Sequence, residues 1–272
     1  MEIVTGEKIQ QLCDVYIGDQ GDFYANPVIA NQPERHCPLD SIQYPFYNPR
    51  YVFCYSHRIR DLANKIPFFM NEFILVTHNS DGEVYECDEI NDILNYSKLL
   101  KWYAQNTRMV HAKLVFTPIG IANSQWPHGN LFNFRPENFR PKTKGIYFNF
   151  NVYTNLSKRM YCFSKLKNKL EWLDEVPPDE NIRRLSEYEF CICPEGNGVD
   201  THRLWEALYV KTIPIVIKSD FTDILLENNV PVVVLDDWSQ LDECALDYSK
   251  YNIDNNSIRR IMTFTDSYIE YI

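Results

Sequence analysis

The residues whose types and spacing could do chemistry lie between Phe190 and Ile217, in the run FCICPEGNGVDTHRLWEALYVKTIPIVI. Arg203 and Glu206 stand three apart, the spacing that puts two side chains on one helix face. A guanidinium near a helix start suits a phosphate or diphosphate, and a carboxylate one turn on suits the paired hydroxyls of a ribose. The surrounding pattern supplies the frame. Phe190 to Cys193 reads as a short buried strand that Pro194 ends, and Gly196 and Gly198 permit a tight turn. Asp200 or Thr201 caps a helix to about Val210, and Ile213 to Ile217 is a second buried strand. The predicted unit is strand, glycine loop, helix, strand, with the loop at the carboxyl end of a parallel strand, where ligands of open α/β sheets bind. The same spacing also fits a plain βαβ unit whose Arg203 and Glu206 pair on the surface.

The segment Pro194-Glu195-Gly196-Asn197-Gly198-Val199-Asp200-Thr201-His202-Arg203-Leu204-Trp205-Glu206-Ala207-Leu208, followed by Ile213-Pro214-Ile215-Val216, resembles the donor-binding signature of exostosin-like glycosyltransferases. More distantly it resembles the matching segment of α-1,3-fucosyltransferases. The resemblance covers about a tenth of the chain. It departs from the family at Lys211-Thr212, where a glycine-containing turn is usual. What it implies is an inverting transferase of GT-B type, with Arg203 on the nucleotide diphosphate, Glu206 on the ribose, and a basic residue near Arg159 also on the phosphates. It further implies a nucleotide-sugar donor, mostly UDP-sugars, with UDP-xylose the first to try and GDP-fucose the alternative. Soluble relatives encoded by large DNA viruses make a viral xylosyltransferase one expectation.

Composition sets outer bounds. A chain of 272 residues with 45% hydrophobic and 14% aromatic residues can bury two cores. The net charge of −10 argues against nucleic-acid or anionic-membrane partners, while leaving room for a local positive pocket. The 8 cysteines show no CxxC spacing and read as reduced core residues; a zinc site at His36 and Cys37 is the less favoured alternative. The opening MEIVTGEKIQQLCDVY lacks an apolar signal core, and no run approaches membrane-spanning length, so a cytoplasmic protein is expected and the sequons at Asn95, Asn155 and Asn255 read as chance.

Stepping along the chain, Asp14 to Gly18 reads as a strand, 25–50 as a long proline-rich loop, and Tyr51 to Tyr55 as a buried strand followed by a short helix from Ser56 to Lys65. Phe73 to Thr77 is a strand ending in His78-Asn79-Ser80-Asp81. A helix is predicted from about Ile90 to Gln105, then a strand from Lys113 to Phe116. The loop after it carries Trp126, His128 and Asn130, and an aromatic face beside amides suits a sugar ring; Trp126 filling the local core is the equal alternative. Residues 135–145, RPENFRPKTKG, mark a boundary. Ile146 to Val152 reads as a strand, Asn155 to Leu170 and Asp179 to Ser186 as helices, and Arg159 as either a phosphate ligand or part of a solvated face. A helix to about Asn228 and a strand from Val232 to Leu235 follow, and a last helix, about 256–272, is expected to pack back towards the first domain.

The expected architecture is therefore α/β and GT-B-like, with two Rossmann-like parallel-sheet domains facing across a cleft. Residues 1–142 would bind the acceptor and supply a general base, and residues 143–272 would bind the donor. No Asp-x-Asp occurs, so no metal or other cofactor is expected, and charge stabilisation falls to Arg203, Arg159 and the helix start at Val199 to Thr201. The first domain offers Asp81, His78, Asp19, Asp22 and His128 as bases. Asp81 is preferred and His78 follows, with Asp19, Trp126, His128 and Asn130 on the acceptor side. A nucleotide- or sugar-binding module without turnover, and a phosphorylase or hydrolase, are the readings from other classes.

Overall fold

The computed structural model describes residues 3–242 and 246–251, which form two compact units, Val4–Trp126 and, with Ile3, the described residues of 127–251. The division falls at 126/127, ahead of the 142/143 break read from prolines and charge. The reason is packing: Phe134 meets Tyr209 edge-on at 6.0 Å, and the Lys142 ammonium donates to the Val210 carbonyl at 3.1 Å.

The first unit contains, in chain order, α1 (Gly6–Gln11), β1 (Val15–Gly18), α2 (Gln20–Tyr24), α3 (Pro27–Ala30), β2 (His36–Pro38), β3 (Tyr51–Tyr55), α4 (Ile59–Ala63), β4 (Phe73–His78), α5 (Asp88–Asn95), β5 (Leu99–Ala104) and β6 (Leu114–Phe116). Its six strands form one parallel sheet in the order β2-β1-β3-β4-β5-β6. β4 is buried along its whole length, as a near-continuous apolar run in a covered parallel sheet should be. Leu62, Ile66, Phe69, Leu75, Ile93 and Trp102 are among the side chains of the core beside the sheet. The strand order reverses between β1 and β3: the chain leaves β1 for β2 on one side and returns to β3 on the other. A crevice outside the carboxyl ends of the strands belongs at such a switch point.

The second unit contains β7 (Lys144–Tyr147), α6 (Leu156–Leu166), α7 (Pro178–Ser186), β8 (Tyr188–Ile192), α8 (His202–Tyr209), β9 (Ile213–Ile217), α9 (Asp220–Glu227) and β10 (Val233–Leu235). Its four strands are again parallel, in the order β10-β9-β8-β7. Phe148, Phe150, Phe163 and Trp172 pack their rings beside it at centroid distances between 4.9 and 6.2 Å. The chain is thus a mixed α/β protein with two parallel sheets, as the alternating pattern predicts.

Three expectations are corrected. The helix predicted over 90–105 stops at Asn95, and Leu99–Ala104 is strand β5. Tyr96 and Lys98 make the break by tying their side chains to the Phe69 carbonyl at 2.8 and 3.0 Å. The stretch 25–50 is not one loop, because it holds α3 and β2, with β2 paired to β1 at the sheet edge. The strand read over 146–152 is shifted to Lys144–Tyr147, and the chain turns at Val152–Asn155 into α6. The helix expected over 256–272 lies outside the described residues.

Candidate functional site

In the second unit the loop 194–201 leaves the carboxyl end of β8 and enters α8 with Thr201 at the cap position. Its turn is closed by the Gly196 amide donating to the Gly198 carbonyl at 3.1 Å. Pro194, Gly196, Gly198, Val199, Asp200 and Thr201 are buried, Glu195 is partly buried, and Asn197 is exposed. Asp200 accepts from the indole N–H of Trp205 at 2.6 Å, which pins the loop's end to the first turn of α8. From the other side, Asn155 donates to the Gly196 carbonyl at 2.7 Å, and Lys158 pairs with the Glu195 carboxylate.

Two arginines come to this loop. Arg159, on α6, is only 8% exposed, so it is not on a solvated face. Its Nε donates to the Glu195 carbonyl at 2.9 Å and its Nη1 to the Asn151 carbonyl at 2.7 Å. No carboxylate among the described residues pairs with it. Its Nη2 makes no hydrogen bond among the described residues and lies 3.1 Å from where a Cβ on Gly196 would stand. Burial holds the Arg159 pKa below the usual guanidinium range, and the charge of Arg203 adds to that effect. The two cations therefore feel each other.

Arg203 and Glu206 are paired, Nε to Oε2 at 3.0 Å. The pair is not on the surface as the plain βαβ alternative has it, since Glu206 is 6% exposed. Arg203 also donates through Nη1 to the Asn149 carbonyl at 2.8 Å and lies over the Tyr147 ring, 5.5 Å from its centroid. Burial is the largest single influence and opposes the Arg203 charge, but Glu206, Cys191 and Tyr147 together outweigh it and hold the pKa above the ordinary range. Burial, and the neighbouring Cys191, push the Cys193 thiol well up. The arrangement is two guanidiniums, one of them paired with a carboxylate, beside a helix start, groups of the kind that suit an anion.

His128 and Asn130, expected on the acceptor side, belong to this second unit. The His128 ring stands edge-on to His202, the first residue of α8, at 6.2 Å. Asn130 caps the turn Leu131–Phe134 by accepting from the Phe132 amide at 3.0 Å.

In the first unit the two proposed bases separate. Asp81 is exposed, beyond the end of β4. His78 is 1% exposed, with Nε2 at 3.0 Å from the Pro118 carbonyl and Nδ1 at 3.1 Å from Asn79 Oδ1. Both ring nitrogens are engaged in a buried network that also contains Gln10, Tyr55 and Asn123. The structure thus gives His78 a structural place, out of reach of a substrate hydroxyl. Trp126 is 55% exposed, so it does not fill the core. Asp19 is half-exposed and paired with Arg58. His36 and Cys37 do not converge: His36 stacks on Phe23 at 4.5 Å and contacts the Gly18 carbonyl, while Cys37 lies by Ser41.

Several contributors have no signature in the sequence. Asn149 and Asn151 act through backbone carbonyls, which any residue type would supply. Asn155 opens α6 and could have been read as a cap, though not as the clamp on Gly196. His57 and Arg58, just past β3, meet Asp22 after β1. Among the described residues no helix is long and apolar enough to cross a membrane, and no three His, Cys, Asp or Glu gather as a metal site would require. No protein-family model matches the chain, and no curated protein matches it as a relative.

Proposed function

We propose that the loop 194–201 with Arg159 and Arg203 binds the diphosphate of a nucleotide-sugar, and that the protein is an inverting glycosyltransferase of GT-B type. In this reading a UDP-sugar, UDP-xylose first, donates its sugar to a glycan hydroxyl. The observation that carries the reading is Arg159, a buried guanidinium with no carboxylate partner among the described residues and an Nη2 turned towards Gly196. A buried cation with only neutral partners is costly, and an anion that supplies the missing charge recovers that cost.

The chemistry follows from charge. As the bond from the anomeric carbon to the diphosphate breaks, negative charge grows on the leaving phosphate. Donors fixed in advance beside that oxygen, here two guanidiniums and the first N–H groups of α8, stabilise it without reorganising. These groups carry out charge compensation without requiring a divalent cation. The ribose hydroxyls fall to Glu206, which must then turn from Arg203.

The test is calorimetric titration with UDP and GDP, each in EDTA and in Mg²⁺, followed by a nucleotide-sugar screen. The expected result is micromolar UDP binding that ignores EDTA, then sugar release from a UDP-sugar. Tighter GDP binding would favour a GDP-fucose enzyme. Binding of UDP with no release from any sugar donor would identify a binding module, and binding of neither nucleotide would overturn the proposal.

A further inference from the structure

The charged groups around the loop 194–201 are strung in a fixed order within the second unit. The carbonyls of Asn149 and Asn151, just after β7, each take one guanidinium. Asn149 accepts from Arg203 Nη1 at 2.8 Å, and Asn151 accepts from Arg159 Nη1 at 2.7 Å. On from Arg203 the contacts end at the Glu206 carboxylate, 3.0 Å from its Nε. On from Arg159 they end at Glu195. Its backbone carbonyl accepts from Arg159 Nε at 2.9 Å, and its carboxylate pairs with Lys158, the residue before Arg159 on α6. Followed through these bonds, the order is carboxylate, guanidinium, guanidinium, carboxylate.

The two ends are closed differently. Glu206 is sealed against its own arginine, whereas the Glu195 side chain is 22% exposed and that of its partner Lys158 is 51% exposed. An ion pair this open is weak, and its carboxylate can be shared with a ligand. The backbone beneath Glu195 is held firmly. Arg159 holds the Glu195 carbonyl, Asn155 donates to the Gly196 carbonyl at 2.7 Å, and the Gly196 amide donates to the Gly198 carbonyl at 3.1 Å. A Cβ on Gly196 would meet Thr201 at 3.4 Å and Thr154 at 3.6 Å, so the loop is gripped both at the start of α8 and by the turn before α6. Glu195 is a partly open carboxylate on a fixed support.

A nucleotide-sugar is built in the matching order: ribose hydroxyls, two phosphates, the hydroxyls of a second sugar. An ionised carboxylate only accepts hydrogen bonds, so it suits hydroxyls and repels another carboxylate. Lys158 would attract a sugar carboxylate, but its charge is already answered by Glu195. We propose that Glu195 accepts from hydroxyls of the transferred sugar, and that the Glu195–Lys158 pair makes the site select neutral sugars over uronates. The assignment rests on the diphosphate reading of the loop given above, and every residue in it belongs to the second unit.

The experiment is calorimetric titration of wild type, Glu195→Gln and Lys158→Met with UDP, UDP-glucose and UDP-glucuronate, in EDTA and again in Mg²⁺. The two sugar nucleotides differ only in a hydroxymethyl against a carboxylate on the ring. Both substituted side chains are partly exposed, so the variants should fold, and thermal melts of the same samples check this. Wild type should bind UDP-glucose at least about 10-fold more tightly than UDP-glucuronate, the value of one charge-assisted hydrogen bond. Glu195→Gln should shrink that ratio by at least about 10-fold, because Lys158 then faces the uronate unanswered, and should leave UDP affinity within threefold of wild type. Lys158→Met should preserve or widen the ratio. Wild type that binds the two sugar nucleotides within threefold of each other, or a Glu195→Gln ratio within threefold of the wild-type one, would overturn the sugar assignment and leave the diphosphate reading standing. A fall in UDP affinity in Glu195→Gln, in step with both sugar nucleotides, would place Glu195 on the nucleotide and overturn the assignment as well. Wild type that binds no UDP would overturn both.

Discussion

Replacing Gly196 by alanine separates folding from anion binding with one methyl group. The new Cβ would stand 3.1 Å from Arg159 Nη2, 3.4 Å from Thr201 Cγ2 and 3.6 Å from Thr154 Cγ2. Gly196 does not occupy the left-handed region, so alanine meets no backbone penalty, and the stiffer unfolded chain contributes about 0.4–1 kcal/mol in favour of folding. Only the guanidinium tip is crowded, and it sits at the end of a flexible side chain that gives by a few tenths of an ångström. Stability should therefore stay within about 1 kcal/mol of wild type. Binding should not. The methyl occupies the approach to Nη2 and displaces a phosphate oxygen from that donor. One charge-assisted hydrogen bond is worth about 1.5–3 kcal/mol, and at about 1.4 kcal/mol per decade its loss weakens Kd by about 10–150-fold. Calorimetry with UDP in EDTA reads the affinity, and a thermal melt of the same sample reads the fold. A variant with an unchanged melting temperature that binds UDP within threefold of wild type would show that Nη2 does not face the phosphate.

Two further outcomes test the frame around this site. The three N–H groups of Lys142 are shared among four acceptors, the carbonyls of Ser186, Tyr188 and Val210 and Thr212 Oγ1, at 3.0, 2.7, 3.1 and 2.8 Å, joining the segments that flank β8 and β9 at their amino ends. Lys142→Met strips these acceptors of their donor and should cost about 2–4 kcal/mol in urea unfolding; a loss under about 1 kcal/mol would mean the knot is incidental. Glu187 is held below its ordinary pKa of 4.5 by hydrogen bonds from Lys144 and then Arg140. A depressed carboxyl stabilises above its unfolded pKa and loses that contribution as pH falls through the folded value. The advantage of wild type over Glu187→Gln should thus be present near neutral pH and shrink in acid below 4.5; an advantage that is the same in both would refute the ion pairs' role.

How much of this could be read from the chain depends on whether the information is local. β3, β4, β8 and β9 are apolar runs bounded by glycine, proline or polar residues, and each was legible within a residue or two. β5 was not, because LLKWYA follows α5 without glycine or proline between them, and its strand character comes from pairing with β4. β2 was missed because it is three residues long and ends in Pro38, which only an edge strand tolerates. The placement of Arg203 on the helix after the glycine loop is legible because loop, cap and guanidinium share one contiguous segment. The Asp22–His57 pair has no local signal. It exists because β1 and β3 are neighbours in register, Ile17 opposite Cys54, which sets the residues after each strand side by side.

The Arg203–Glu206 pair bears on how such a site would select its ligand. Glu206 is nearly sealed from water, and its cost of desolvation is offset by one guanidinium 3.0 Å away. Arg159 and Arg203 are balanced by Glu206 and the buried Asp200, and the start of α8 adds about half a positive charge. What favours an anion near the Gly196 turn is Arg159, which has no carboxylate partner of its own among the described residues. A phosphate that takes over donors of Arg203 weakens its hold on Glu206 and leaves a buried carboxylate in need of new donors. Ribose hydroxyls supply them. A ligand with hydroxyls but no diphosphate would have to break the ion pair without replacing it, while inorganic phosphate would leave Glu206 unsatisfied. In the proposed reading, one carboxylate shared between an internal cation and a ligand would couple recognition of the diphosphate to recognition of the sugar ring beside it, and a nucleotide would meet both demands at once.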